Sequence, residues 1–155
     1  MGIIDRTNWS ILHTEIQQKM CEEYNRKAVH YLRQLGERVV KYARNDESAA
    51  RHYTDRTGNL RSSIGYIVVQ DGQVIDSAFK GKTSEGRQMG FDYAQKVANQ
   101  LSKSKTYLVW VAGMEYASYV EARGYDVIQG SGDWLESRVE EERESFRRYL
   151  LSKRK

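Results

Sequence analysis

The pair Asp71-Gly72 separates two β-forming runs within residues 64–79. Both turn residues of a tight hairpin take φ > 0, which Asp and Gly accept at low cost, so this spacing predicts a two-residue β-hairpin. The implied register sets Val69 opposite Val74 and Val68 opposite Ile75. Apolar side chains then fall on both faces of the hairpin's middle, which predicts a place inside a sheet or under a helix. The other segments read as covers for it.

Upstream, from Trp9 to about Arg44, apolar residues recur in steps of three and four: Leu12, Ile16, Met20, Tyr24, Ala28, Tyr31, Leu32, Leu35, Val39 and Ala43. That spacing predicts one long amphipathic helix with Gly36 as the candidate break, and the chain has no proline to interrupt it. Glu22, Glu23, Arg26, Lys27, Arg33 and Lys41 fill the opposite face. Such a helix exceeds what one small sheet covers, so part of its stripe is expected either to pack on another subunit or to wrap its own domain.

Immediately before the hairpin, Thr57 is placed to cap a short helical turn. Leu60 and Ile64 then point inward, with Ser62 and Ser63 on the other side. After the hairpin, residues 80–90 read as a flexible cationic loop, a candidate contact arm carrying Lys80, Lys82 and Arg87. Gly81-Lys82-Thr83 is similar to the end of a phosphate-binding loop, but Asp76 stands where that motif needs Gly. A Gly-rich loop, rather than a helix, is expected after Thr83. Asp92 is the expected N-cap of a middle helix to about Ser102, with Ala94, Val97, Ala98 and Leu101 on one face.

Residues 106–112, apolar almost throughout, read as a strand buried on both faces. Met114 to Gly124 contains a short helix ended by Gly124, and Tyr125 to Gln129 reads as a short edge strand. Asp133 and Glu136 have capping-box spacing, opening a C-terminal helix with Leu135, Val139, Phe146 and Leu150 inward. The expected architecture is α+β. A small antiparallel-rich sheet carries a long N-terminal helix, a middle helix and a C-terminal helix, packed mainly on one face. One domain is expected over 1–155, with flexible ends at 1–8 and 151–155.

Composition narrows the chemistry. One cysteine, Cys21, allows neither a disulfide framework nor a thiolate metal site. His13 and His30 fall within the long helix. Around His52 the acidic groups Asp46, Glu47 and Asp55 cluster without ligand pairs at metal-site spacing. No catalytic residue, metal or cofactor is therefore expected. No apolar run is long enough to span a membrane, and the first residues lack a signal-peptide layout, with Arg6 where myristoylation wants Ser or Thr. Residues 51–105 hold 9 basic and 5 acidic side chains, and the net charge is +4. That excess is thinner than a nucleic-acid stripe usually needs.

Two short motifs carry a family resemblance: Thr57-Gly58-Asn59-Leu60-Arg61-Ser62-Ser63-Ile64 leading into the hairpin, and Tyr116-Ala117-Ser118-Tyr119-Val120-Glu121 followed by Gly124. In this order, and with a closing helix, the chain resembles the tail-completion or minor tail proteins of long-tailed phages. That family is typified by gene product ten of a lambdoid siphophage. The likeness spans about residues 10–150 in order of elements, although Gly124 lies one residue later than is usual and no proline opens the last helix. It implies a small α+β structural protein of a phage or prophage virion at the head-tail joint or tail end. Such a protein forms homo-oligomeric rings and docks to neck or tail proteins, without turnover, in the host cytoplasm and then in the virion. Thr57, Gly58, Leu60, Arg61, Ser63, Tyr116, Ala117, Val120, Glu121 and Gly124 are the motif positions. Tyr116, Ala117 and Glu121 are expected to hold a strand-to-helix corner, Glu121 accepting backbone hydrogen bonds or pairing with Arg61. The alternative is a nucleic-acid-binding accessory protein using loop 80–90 and the basic tail.

Overall fold

A computed structural model describes residues 9–44 and 53–152. The elements are α1 (Trp9–Arg44), α2 (Asn59–Ser63), β1 (Ile64–Gln70), β2 (Gln73–Phe79), α3 (Ser84–Ala98), β3 (Thr106–Ala112), α4 (Ala117–Ala122), α5 (Gln129–Glu136) and α6 (Val139–Leu151). Of the expected flexible ends at 1–8 and 151–155, residues 1–8 and 153–155 lie outside the described residues, and Leu151 is still helical.

The strands form one antiparallel sheet in the order β2-β1-β3, with β1 in the centre. The hairpin turns on Asp71 and Gly72, with φ of 51° and 79°. Val69 pairs with Val74 as expected. Val68, however, pairs with Asp76 across a register shift, so Ile75 is the extra residue of a bulge and lies exposed. Bulging frees Asp76 to meet Arg33 of α1, 2.7 Å from its Nε.

Being central, β1 is buried on both faces. On one face Ile64, Tyr66 and Val68 join Val40 of α1, and on the other Ile67 and Val69 join Ala94 and Ala98 of α3. The expected concentration of helices on one face describes α1 and α4–α6, while α3 covers the second. Strand β3 is an edge with only Val109 and Val111 buried, rather than a strand buried on both faces.

Glycines account for two further differences. Gly36 does not break α1: a Cβ there would sit 2.8 Å from the Tyr66 ring, so its absence lets that ring lie on the helix backbone. Residues 84–90 are not a loop but the first half of α3, which starts at Ser84 instead of Asp92. Gly86 meets the Asn59 carbonyl and Ser62, Gly90 meets the Ser63 carbonyl and Phe79, and Gly113 meets the backbone of Gly90. These glycines serve close packing, not flexibility. A helix therefore does follow Thr83, and the phosphate-loop pattern fails on Asp76 alone.

At the C-terminal end, residues 125–128 form a loop instead of an edge strand. Helix α5 starts at Gln129, so Asp133 is interior to it and caps nothing. A break at Ser137 and Arg138 separates it from α6, and Val139 is exposed rather than inward.

Candidate association surface

One helix face runs the length of α1, but only part of it is covered. From Ala28 onward, Ala28, Tyr31, Leu35, Val39 and Val40 are buried. Upstream, the side chains from Ser10 to Tyr24 are exposed apart from half-buried Leu12. Ile16 is 49% exposed, Met20 67% and Tyr24 51%. At about 1.5 Å per residue this arm extends roughly 20 Å.

The sheet and α6, which runs antiparallel to α1, together cover the second half of α1. Glu142 is the hub of the α6 contact. Tyr31 donates to its Oε2 at 2.6 Å, and Arg38 holds both carboxylate oxygens at 2.7 Å. Burial alone would raise the Glu142 carboxyl, but the hydrogen bonds from Arg38 and Tyr31 outweigh it and hold the group below its ordinary range. Burial and the Glu142 hydrogen bond push the Tyr31 phenol up, and the same carboxylate raises Arg38. Rings continue the contact, with Phe146 at 5.0 Å from Tyr31 and 6.2 Å from Tyr24. Lys27 Nζ donates to the carbonyls of Leu150 at 2.8 Å and Ser152 at 3.1 Å, satisfying the helix end. Beside this contact lies an apolar groove of about 670 Å³ lined by Ala28, Leu32, Leu35, Leu135 and Phe146. Helix α6 ends at Leu151, and among the described residues nothing covers the stripe upstream of Tyr24.

The two sequence motifs meet in the core, not at a surface site. Leu60 and Ala117 are buried in one cluster, with Val120 packed against it. Asp55 does the capping around α2: its carboxylate accepts the N–H groups of Gly58 at 2.9 Å and Arg61 at 2.8 Å. Thr57 contributes a single bond, from Asn59 N–H at 3.2 Å. Gly58 occupies the N-cap position with φ 80°. Ser62 and Ser63 are buried along with Leu60 and Ile64, contrary to the expected outward side, because α3 packs over them. Ser63 Oγ donates to the Leu60 carbonyl at 2.8 Å, and Ser62 Oγ accepts the Thr83 N–H at 3.3 Å.

At the second motif, Glu121 Oε1 accepts the N–H groups of Ile128 at 3.0 Å and Gln129 at 2.7 Å. This carboxylate accepts backbone N–H groups as expected, but it starts α5 rather than holding the strand-to-helix corner before α4. Ala117 is buried, Gly124 takes φ 84° just past α4, and Tyr116 is 41% exposed.

The proposed contact arm is largely committed within the chain. Lys80 pairs with Glu37 at 2.8 Å, and Arg87 donates to the Gly81 carbonyl at 2.6 Å. Lys82 lines a cleft of about 280 Å³ with Arg44, Arg61 and Asp55. Burial, and then the charge of Arg61, lower the Arg44 guanidinium, while burial pushes the Tyr53 phenol up. Of the polar cluster at 45–56, Asp46, Glu47, Ser48 and His52 lie outside the described residues.

Sequence reasoning missed Glu142 altogether and the capping role of Asp55, which it took only as one of the acidic cluster around His52. An Asp three residues before Gly58 signals an Asx-type turn. Glu142, one of three consecutive glutamates, carries no local signal.

Among the described residues no group of three His, Cys, Asp or Glu side chains is placed to hold a metal, and no helix is long and apolar enough to cross a membrane. No protein-family model, curated protein or solved structure matches the chain.

Proposed function

We propose that this chain is a structural assembly protein of a phage or prophage virion, a head-tail connector or tail-completion component. It acts by association, through ring formation and docking to neck or tail proteins. One observation carries this reading: α1 is a single helix whose second half is locked into the domain while its first half holds an apolar stripe in solvent. A protein that works by assembling needs such a surface on a rigid base. The two motifs that carry the family resemblance form the corner of that base, Glu121 fixing the start of α5 and Leu60 and Ala117 sharing its core.

The test is electron microscopy of particles made when this reading frame is deleted from the phage or prophage that encodes it. Separate full heads and tails, or tails of uncontrolled length, are expected. Normal infectious particles would overturn the proposal.

A further inference from the structure

We propose that the exposed arm of α1 pairs with the same arm of a second copy, antiparallel and about a two-fold axis, over residues 12–24. The inference rests on the assembly reading and adds a contact distinct from those that close a ring, because a two-fold pair closes on itself and joins copies two by two.

The space available limits the occupant first. Leu12, Ile16, Met20 and Tyr24 lie four residues apart, each about 40° further round the helix, forming one stripe that winds through about 120°. Helix α6 takes the same side of α1 from Arg38 back to Lys27 and Tyr24, then ends at Leu151, which is 76% exposed. A partner must therefore sit upstream of Tyr24, in line with α6, on about 20 Å of helix.

Charge then chooses the partner and its direction. At about 100° per residue, Glu15 and Lys19 fall on one flank of the stripe while Gln17 and Cys21 fall on the other. Both charged residues are exposed, and among the described residues neither makes an ion pair. In a parallel in-register pair the charged flank would face the uncharged flank of the partner, and no charge would be matched. When two copies run antiparallel, like flanks meet. With the axis beside Gln17, Glu15 faces the other copy's Lys19, and the symmetry repeats the contact. In that register Ile16 inserts between the second copy's Ile16 and Met20, and Met20 lies beside its Leu12. Each group on one copy finds its complement on the other, the reciprocity that a two-fold interface demands.

The contact is small. It falls at the low end of specific interfaces, which bury about 1,200 Å² or less, so reversible, concentration-dependent pairing is expected.

Sedimentation of the full chain from roughly 1 to 500 μM tests the pairing. Reversible dimerisation is expected. Glu15→Lys or Lys19→Glu alone creates two like-charge contacts and weakens it about tenfold. An equimolar mixture of those two variants restores a heterodimer, because the introduced lysine of one faces the introduced glutamate of the other. Met20→Glu abolishes dimerisation without changing the far-ultraviolet circular dichroism, since that side chain is exposed in the single copy. A chain that stays monomeric throughout the range overturns the pairing, as does a mixture that fails to re-associate or a dimer indifferent to Met20→Glu. A foreign helix on the stripe would give the first of these results. Failure here together with separated heads and tails in the deletion experiment would reject the copy-to-copy contact alone.

Discussion

The two halves of α1 share one pattern and differ in everything the pattern does not specify. Both carry apolar residues at steps of three and four, and both present charged residues on the far side. In the second half Val39 is fully buried and Tyr31 and Leu35 are 8% exposed, whereas in the first half Met20 is 67% exposed. The difference lies in what stands opposite. Tyr66, Val68, Leu108 and α6 meet the second half, whereas in the first half α6 reaches Tyr24 through Phe146 and the described residues cover nothing further upstream. Amphipathic spacing specifies a face that gains from being covered, not the cover. An isolated helix as short as the arm is marginal in water, so its continuity with the anchored half supports it.

Substitutions sharpen the contrast, beginning where packing is tightest. Gly113→Ala drives a methyl group into the Gly90 backbone, where neither β3 nor α3 has a side chain to move aside. A loss of about 3 kcal/mol is expected in urea unfolding. A loss under about 1 kcal/mol would show that β3 and α3 separate easily there.

An intermediate effect belongs to the α1–α6 contact. The folded state holds Glu142 ionised below its ordinary pKa of 4.5, so its contribution is fully present above that value and fades as pH falls through the depressed folded pKa. Glu142→Gln should cost on the order of 1 kcal/mol at neutral pH, with allowance for the half-exposed Arg38, and should flatten the acid limb of the stability profile. An unchanged acid limb would place that dependence on other carboxylates. The smallest effect is expected in the arm: Ile16→Ser should shift unfolding by less than about 0.5 kcal/mol at concentrations where the chain is monomeric. A loss above about 1 kcal/mol would mean that the arm is already covered in the single copy.

The helices and strands were legible wherever the signal was local and periodic. Trp9–Arg44 came from apolar spacing, and the hairpin came from Asp71-Gly72. The bulge at Val68 was not legible, because Ile75 and Asp76 alternate as well in either register and the decision falls to Arg33 on another element. The glycines of 81–90 misled because one residue type serves both loose loops and crowded contacts. Only the positions of Ser62, Ser63 and Phe79 reveal which applies. The start of α5 was displaced for a similar reason, its cap being Glu121, eight residues before Gln129. At the candidate surface, the stripe and its excess length were visible in the sequence. The boundary at Tyr24 was not, since it depends on where α6 stops.

Continuity of α1 has a mechanical consequence. The arm and the anchored half are one rod without a hinge, gripped at Lys27 by the end of α6 and at Arg38 by its start. Load applied near Leu12 becomes torque about the Lys27 grip, opposed at Arg38 and along the sheet. The arm therefore acts as a lever that is longer outside the Lys27 grip than inside it, so whatever seizes its tip sets the angle of the whole body and feels that body's resistance in return.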